Sequence, residues 1–452
     1  MTTQIFIKNG RIIDTSQNLD LIGDLLISNG LIEWIKNTQS KVSISKNCEV
    51  IDASNLIVCP GFIDLHSHLR EPGYEDKETI ATGTLAAARG GFTSICAMPN
   101  TNPVMDTMAT IDYVKRKAQE IGHIKVFPIG CVTKGRLGKD MTNLFELADA
   151  GAIAFSDDGN PISDSNIMRQ ALTYLLDTNL PIIDHCEDYS LAQNGVMNEG
   201  WVSTLLGLKG VSAVGEENMV ARNIRLAELT GGNLHIAHIS TAGSLNLIKQ
   251  AKENNIPITC EVTPHHLTLN EESVLGINGS NVLKIYTHKY DTRTKVNPPL
   301  RSRLDVEAMV NGLETGIIDI IATDHAPHTQ VDKQCTYDQA AFGISNFETA
   351  LGSVLALVEN GQVNLSTIIN SMTYAPAQIL NSKLGTLSKG ASADVTIFDP
   401  KAEWVVDSDN FTSKGKNTPL AGTTLKGKVL ATLVNGTFAY RDKKKLPTID
   451  AH

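Results

Sequence analysis

The sequence predicts an α/β chain: a closed (β/α)8 barrel of TIM-like type, flanked by one small β domain built from both chain ends. Three observations carry this. From Leu56 onward, eight apolar strand-like runs alternate with amphipathic helical stretches, a rhythm that buries its apolar faces best as parallel strands joined by crossover helices. Polar residues gather where those runs end, the face on which such barrels assemble their sites. On either side, the chain changes to short strands with Asn-Gly turns, the strongest short hairpin signal. The expected boundaries are 1–55 for the first part of the β domain, 56–383 for the barrel, and 384–452 for the second part and tail.

Taken in order, residues 4–8 and 11–14 read as a hairpin about Asn9-Gly10, and residues 24–28 and 31–36 as another about Asn29-Gly30. The barrel strands then end at His66-Ser67-His68, Met98-Pro99-Asn100, Cys131-Val132-Thr133, Ser156-Asp157-Asp158-Gly159, His185-Cys186-Glu187-Asp188, His238-Ile239-Ser240-Thr241, Thr263-Pro264-His265-His266 and Thr323-Asp324-His325-Ala326-Pro327-His328. Helical stretches are expected at 78–89, 112–120, 166–177, 218–229 and 245–253. Gly90-Gly91, Gly122, Gly151, Gly231-Gly232 and Gly316 are placed to end helices through a left-handed residue. Residues 393–398, 404–406 and 427–434 read as strands, with a turn at Asn435-Gly436, and the tail 443–452 as dispensable.

Composition narrows the class of function. With 39 basic and 49 acidic residues the net charge is -10, which disfavours nucleic acid and membrane surfaces as partners, so an anionic small molecule would need local positive groups. No signal-peptide pattern opens the chain and no apolar run is long enough to span a bilayer. The seven cysteines form no C-x-x-C pair, pointing to reduced thiols in a cytoplasmic protein rather than a disulfide framework.

The chemistry starts at Gly61-Phe62-Ile63-Asp64-Leu65-His66-Ser67-His68-Leu69-Arg70. Side chains alternate along a strand, so His66 and His68 share a face and can hold one ion between them. Alone, such a pair is more often packing than ligation, because a full site needs three or four ligands. Other strand ends supply them: one aspartate of the pair Asp157 and Asp158, His185, His238 and Asp324. Imidazole and carboxylate without thiolate fit a catalytic zinc site, where metal charge makes a water nucleophilic near neutral pH. Alternation lets only one of Asp157 and Asp158, and one of Asp324 and His325, face the barrel mouth. His235 and His238 cannot both face inward on a regular strand. His123, His288 and His452 read as solvent-facing, and His265-His266 as orienting neighbours.

In chain order, DLHSHLREPG, MPNTNPV, FSDDG, DHCED, HIAHIST, EVTPHHL, KVNPPLR, TDHAPH and FGISNFETA resemble the dihydroorotase family of the amidohydrolase superfamily, in its long bacterial type. The resemblance implies one or two Zn2+ ions. His66, His68 and Asp324 would hold one; Asp158 would bridge to a second held by His185 and His238, with a carboxylate in place of the carbamylated lysine many relatives use. Arg70, Asn100, Asn297 and His328 would bind substrate, Arg70 gripping a carboxylate, with backbone groups near Phe342 and Gly343 closing over the ring. The implied reaction is reversible hydrolysis of dihydroorotate to N-carbamoyl-aspartate in pyrimidine synthesis, with Asp324 carrying the proton. A related cyclic amidohydrolase, hydantoinase- or allantoinase-like, is the alternative; an inactive scaffold for aspartate transcarbamoylase is a further one. A homodimer and association with aspartate transcarbamoylase are compatible with the family. Two departures stand out: Ser345-Asn346 in place of a smaller apolar-glycine pair, and a long segment 281–291 that adds Tyr286, His288 and Lys289.

Overall fold

A computed structural model of the chain describes residues 4–38, 45 and 48–449. Both chain ends meet in one sheet, ordered Thr437–Arg441, Thr424–Val434, Val395–Val405, Ile57–Pro60, Gln4–Asp14, Leu19–Ser28, Leu31–Asn37. The join is antiparallel pairing of Val395–Val405 with Ile57–Pro60, Val395 opposite Pro60 and Phe398 opposite Ile57. Alternating β-branched and leucine residues from both ends, among them Ile5, Ile7, Ile12, Leu25, Val395, Ile397 and Leu433, bury a common core.

Two of the three Asn-Gly pairs expected to turn hairpins do so: Asn29 and Gly30 (φ 51° and 79°) and Asn435 and Gly436 (φ 49° and 72°) take the doubly left-handed conformation of the tight turn. Asn9-Gly10 does not. The strand runs unbroken from Gln4 to Asp14, and the pair makes a bulge, with the register against Leu19–Ser28 slipping between Ile7 and Gly10. Asp24 accepts from the Asn9 N–H at 2.8 Å, and a Cβ on Gly10 would lie 2.6 Å from Val58, so the glycine serves the close approach of the neighbouring strand. The chain reverses instead through the short helix Thr15–Gln17 and Asn18 at φ 52°. The tail is not dispensable along its whole length: Thr448–Ile449 pairs with Glu49–Asp52, and Leu446 is buried. His452 lies outside the described residues.

Eight parallel stations form the barrel. Phe62–Ser67, Phe92–Ala97 and Lys125–Pro128 pair in sequence; Phe155, reduced to bridges with Gly130 and Ile182, is the fourth. Ile182–Asp184, Leu234–Ile236, Ile258–Val262 and Ile320–Ile321 follow. A bridge between Ser67 and His325 closes the ring. Strand alternation splits neighbouring isoleucines between two cores. Ile182 and Ile321 pack with helical Ala171, Leu172, Val220 and Ile248 in the layer under the helices, while Ile183 and Ile320 join Ile63, Cys96, Ile129, Ala154 and Ala237 inside the barrel.

The helices run Ile80–Arg89, Met108–Ile121, Ser165–Tyr174, Ala213–Thr230 and Ala242–Glu253, several beginning earlier than their apolar periodicity suggests. Thr79 and Thr107 cap the first two in reciprocal boxes with Thr82 and Thr110. Gly151, Gly231 and Gly316 are left-handed (φ 111°, 72° and 74°), but Gly91 rather than Gly90 takes that role at the first helix, and Gly122 is extended at φ -74°. All seven cysteines are unpaired, with Cys335 exposed and the others buried. No helix among the described residues is long and apolar enough to cross a membrane.

Candidate active site

Where the strands end, the polar residues converge on a cavity of about 290 Å³. Eleven of the twelve residues singled out from the sequence line it: His68, Arg70, Asn100, Asp158, His185, His238, Asn297, Asp324, His328, Phe342 and Gly343. The twelfth, His66, is fully buried just behind. The ligand atoms of His66, His68 and Asp158, and those of Asp158, His185 and His238, lie within 4.8 Å of one another in each set. Asp158 belongs to both sets, so two ions could share it.

The first strand presents its histidines ready-turned. His66 Nδ1 is 2.7 Å from Glu261 Oε1; a carboxylate only accepts, so a proton sits on Nδ1 and Nε2 is the nitrogen left to face a ligand. That Nε2 lies 3.3 Å from Asp158 Oδ1 yet makes no aligned hydrogen bond, an unpartnered buried atom. His68 Nδ1 is 2.9 Å from Asn100 Oδ1, to which it donates, and its Nε2 lies 3.1 Å from Asp324 Oδ1. In the second set His185 Nδ1 and His238 Nε2 are 3.0 Å apart, and His238 Nδ1 is buried without a partner. Unpaired buried nitrogens on His66 and His238, in His and Asp sets that include no thiolate, fit a metal ion.

The electrostatics agree. Burial works against charge on His66, but Asp158 and Glu261 outweigh it and hold its pKa well above the usual range. Burial likewise opposes the Asp158 carboxylate, and His66 and His238 bring it well below normal. Asp324, despite burial, is brought down to about 2 by the His68 hydrogen bond and the charges of His66 and His68. Carboxylates held low beside a histidine held high mark a place where a metal can replace protons.

Strand alternation sorts Asp157 from Asp158 as expected: Asp157 turns away and accepts from Thr133 N at 3.0 Å and from Thr133 Oγ1. His325 also faces away from Asp324, accepting at Nδ1 from Asn346 N, facing Glu78 through Nε2, and stacking on Phe347. The expectation for His235 and His238 fails, because the strand is not regular. It stops at Ile236, and His238 adopts φ 28°, so both histidines reach Glu261, His235 through Nε2 at 3.1 Å and His238 through its backbone N–H at 3.2 Å.

Fourteen described non-glycine residues have positive φ. Nine are asparagines, which tolerate it; the other five are Arg70, Arg136, His238, Tyr290 and Asp324. Three of these five line the cavity, and Arg136 donates to the carbonyls of Asp157 and Asp158. Strain of this kind collects at functional sites.

Arg70 is held by Pro327 O at 3.2 Å. Its Nη2 lies 3.3 Å from His328 Nε2, but that nitrogen donates to Phe342 O at 2.8 Å and has no lone pair to offer. Burial, Arg70 and Lys333 lower the His328 pKa to about 2, so the ring is neutral. Among the described residues no carboxylate pairs with the guanidinium, although Asp324 and Asp158 act on it from further off. Asn297 Nδ2 sits 3.4 Å from His185 Nε2 and 3.3 Å from Glu187.

The loop carrying Phe342 and Gly343 is fixed by groups the sequence did not point to. Gly343 N donates to Lys295 O, and Asn417 Nδ2 donates to Gly343 O and Ala326 O. Asn417 Oδ1 accepts from His328 N and Ser345 Oγ. Much of the backbone at Phe342 and Gly343 is therefore committed to holding the loop. Gly343, at φ 141°, would also place a Cβ 2.7 Å from Ala326. Ser345 and Asn346, the departures from the family pattern, find their reason here: Ser345 meets Asn417, and Asn346 Nδ2 donates to Thr323 O and His265 Nδ1. Asn417 lies in the C-terminal segment, so no barrel motif announces it. Glu261 had one signal, a carboxylate inside the apolar strand Ile258–Val262.

With the site described, comparison with known proteins is decisive. The chain is 47% identical over 439 residues to the dihydroorotase of Syntrophus aciditrophicus, covering 97% of this chain and all of that one. It belongs to the dihydroorotase family. The dihydroorotase of Thermoanaerobacter sp. is 48% identical over 449 residues, covering 99% of this chain and all of the relative, and a family model described as dihydro-orotase-like matches residues 55–244. Among solved structures, the L-hydantoinase of Arthrobacter aurescens superposes with a TM-score of 0.84 at 24% identity, over 98% of this chain and 96% of its own. That likeness shows the fold, a barrel with its flanking β domain.

Proposed function

We propose that the chain is a zinc-dependent dihydroorotase, hydrolysing the cyclic amide of dihydroorotate reversibly to N-carbamoyl-L-aspartate in pyrimidine synthesis. The observation that carries the substrate is Arg70, a guanidinium without a carboxylate partner, facing the same cavity as the His and Asp ligand atoms. An anionic substrate supplies the missing partner through charge-assisted, bidentate bonds.

In this reading His66, His68 and Asp324 would hold one zinc, and Asp158, His185 and His238 would hold a second where two are bound. Zinc, when bound, would polarise the scissile carbonyl and lower the pKa of the attacking water. Arg70 orients the ring by its carboxylate. Asn100, whose Oδ1 is occupied by His68, offers its Nδ2 to the ring, and Asn297 and His328 bound the other sides. Asp324, ionised at neutral pH, takes a proton from the attacking water and delivers it to the leaving ring nitrogen; ring closure runs the same transfers backward. The 1–55 and 384–452 segments form the flanking domain and 56–383 the barrel, with Ile57–Pro60 the strand that stitches them. A cytoplasmic homodimer, with association to aspartate transcarbamoylase, completes the proposal.

Purified protein should turn over dihydroorotate and contain zinc, and chelation should stop turnover until zinc is returned. Turnover of a hydantoin in preference to dihydroorotate, or full activity after complete metal removal, would overturn the reading.

A further inference from the structure

Beneath the ligands lies a buried group that the reaction itself does not use. Glu261, fully buried on the strand Ile258–Val262, receives three N–H donors from three different residues. His66 Nδ1 reaches Oε1 at 2.7 Å, the His238 backbone N–H reaches the same oxygen at 3.2 Å, and His235 Nε2 reaches Oε2 at 3.1 Å. His235 is itself held from behind, its Nδ1 lying 2.8 Å from Thr259 Oγ1. Among the described residues no other carboxylate touches both ligand sets from outside the cavity.

We propose that Glu261, braced by His235, is a positioning residue that fixes the tautomer of His66 and the backbone of His238, and so sets the metal affinity of both halves of the site. A carboxylate has only acceptors, so it demands the proton on His66 Nδ1 and leaves Nε2 as the ligand atom. It also anchors the irregular turn at His238, whose positive φ places the ring among the ligands. His235 occupies the second oxygen, which holds the carboxylate plane in register with both partners. Buried polar groups satisfied on every side in this way are rigid, and rigidity in the support is what a metal cage needs.

The inference rests on the metal-dependent reading of the site, and one experiment separates the two. Stripped wild-type protein is titrated with zinc against a chromophoric chelator, alongside Glu261→Gln, His235→Leu and His235→Gln. Glutamine at 261 must present an amide NH2 to one of its donors, so the variant should bind zinc about 10–100-fold more weakly. His235→Leu should weaken it less, and His235→Gln, which restores an N–H donor, should recover most of that loss. Circular dichroism of the stripped proteins should be unchanged, which separates positioning from unfolding. If Glu261→Gln is misfolded, the His235 pair still decides: equal zinc affinity in His235→Leu and wild type overturns the inference. A wild-type chain that binds no zinc would instead overturn the metal-dependent reading.

Discussion

His66 and His68 leave the first barrel strand with each Nδ1 already bonded to a protein acceptor, Glu261 at 2.7 Å and Asn100 at 2.9 Å. His185 and His238, from two other strands, spend a hydrogen bond on each other at 3.0 Å. The first pair therefore holds its Nε2 atoms toward Asp158 and Asp324 with both rings already oriented, whereas the second must separate before both rings can bind an ion. Support at Nδ1 from residues outside the ligand set is what distinguishes them. One half of the ligand set is preorganised by its neighbours, and the other is organised by whatever it binds.

The largest effect should come from the residue that joins the first half to the chemistry. Asp324→Asn keeps the shape but removes the proton acceptor, and turnover should fall about 10²–10⁴-fold while the far-UV circular dichroism is retained. Near-normal turnover would separate Asp324 from proton transfer. Arg70 belongs to neither half, so Arg70→Met should leave zinc stoichiometry intact and raise KM for dihydroorotate by about 10–100-fold, the loss of a charge-assisted pair of about 1.5–3 kcal/mol. A loss of zinc in that variant would merge substrate binding with metal binding and erase the distinction.

A pH series tests the ligands as proton carriers. Asp158 and Glu261 raise His66 above its usual pKa despite burial, and Glu187 and Asp158 raise His185. A histidine raised in the folded state lends the metal-free fold stability that is fully present below about 6.5, its unfolded pKa, and is lost as pH climbs through the folded value. Metal needs the unprotonated rings, so its contribution runs the other way. The Tm difference between zinc-loaded and stripped protein should widen from pH 6 to 8, and apparent zinc affinity should rise by up to about tenfold per pH unit for each proton displaced. A constant or narrowing gap would show that these rings do not exchange protons for metal.

Most of the barrel was legible because its apolar runs and polar endings are local: five of the eight strand ends carry the six ligand candidates. Convergence of five of those six ligand candidates on one cavity, with the sixth just behind, follows from topology. What stayed hidden depends on irregular backbone or on distant partners. His235 and His238 look incompatible on paper, since alternation holds only while the strand is regular, and the break after Ile236 is not written in residue type. Asn9-Gly10 has the composition of a hairpin, yet a neighbouring strand across the sheet makes it a bulge. Asn417 is more than seventy residues from the loop it pins, in a segment with no motif.

The smallest effect is the most direct test of the difference between the two histidine pairs. Filling either half gives up one hydrogen bond between ligands, His68 to Asp324 in the first and His185 to His238 in the second, but only the first half keeps both rings held through Nδ1, by Glu261 and Asn100. A neutral hydrogen bond contributes about 0.5–1.5 kcal/mol, so the two zinc equivalents should differ in affinity by roughly two- to tenfold, the first entering beside His66. Removing the contact from one side should expose this. His185→Ala should abolish the weaker equivalent and leave the tighter one unmoved, whereas His68→Ala should take the tighter one. If His185→Ala instead weakens the tighter equivalent as much as His68→Ala does, the bridge at Asp158 couples the halves so strongly that preorganisation of one strand is preorganisation of the whole site.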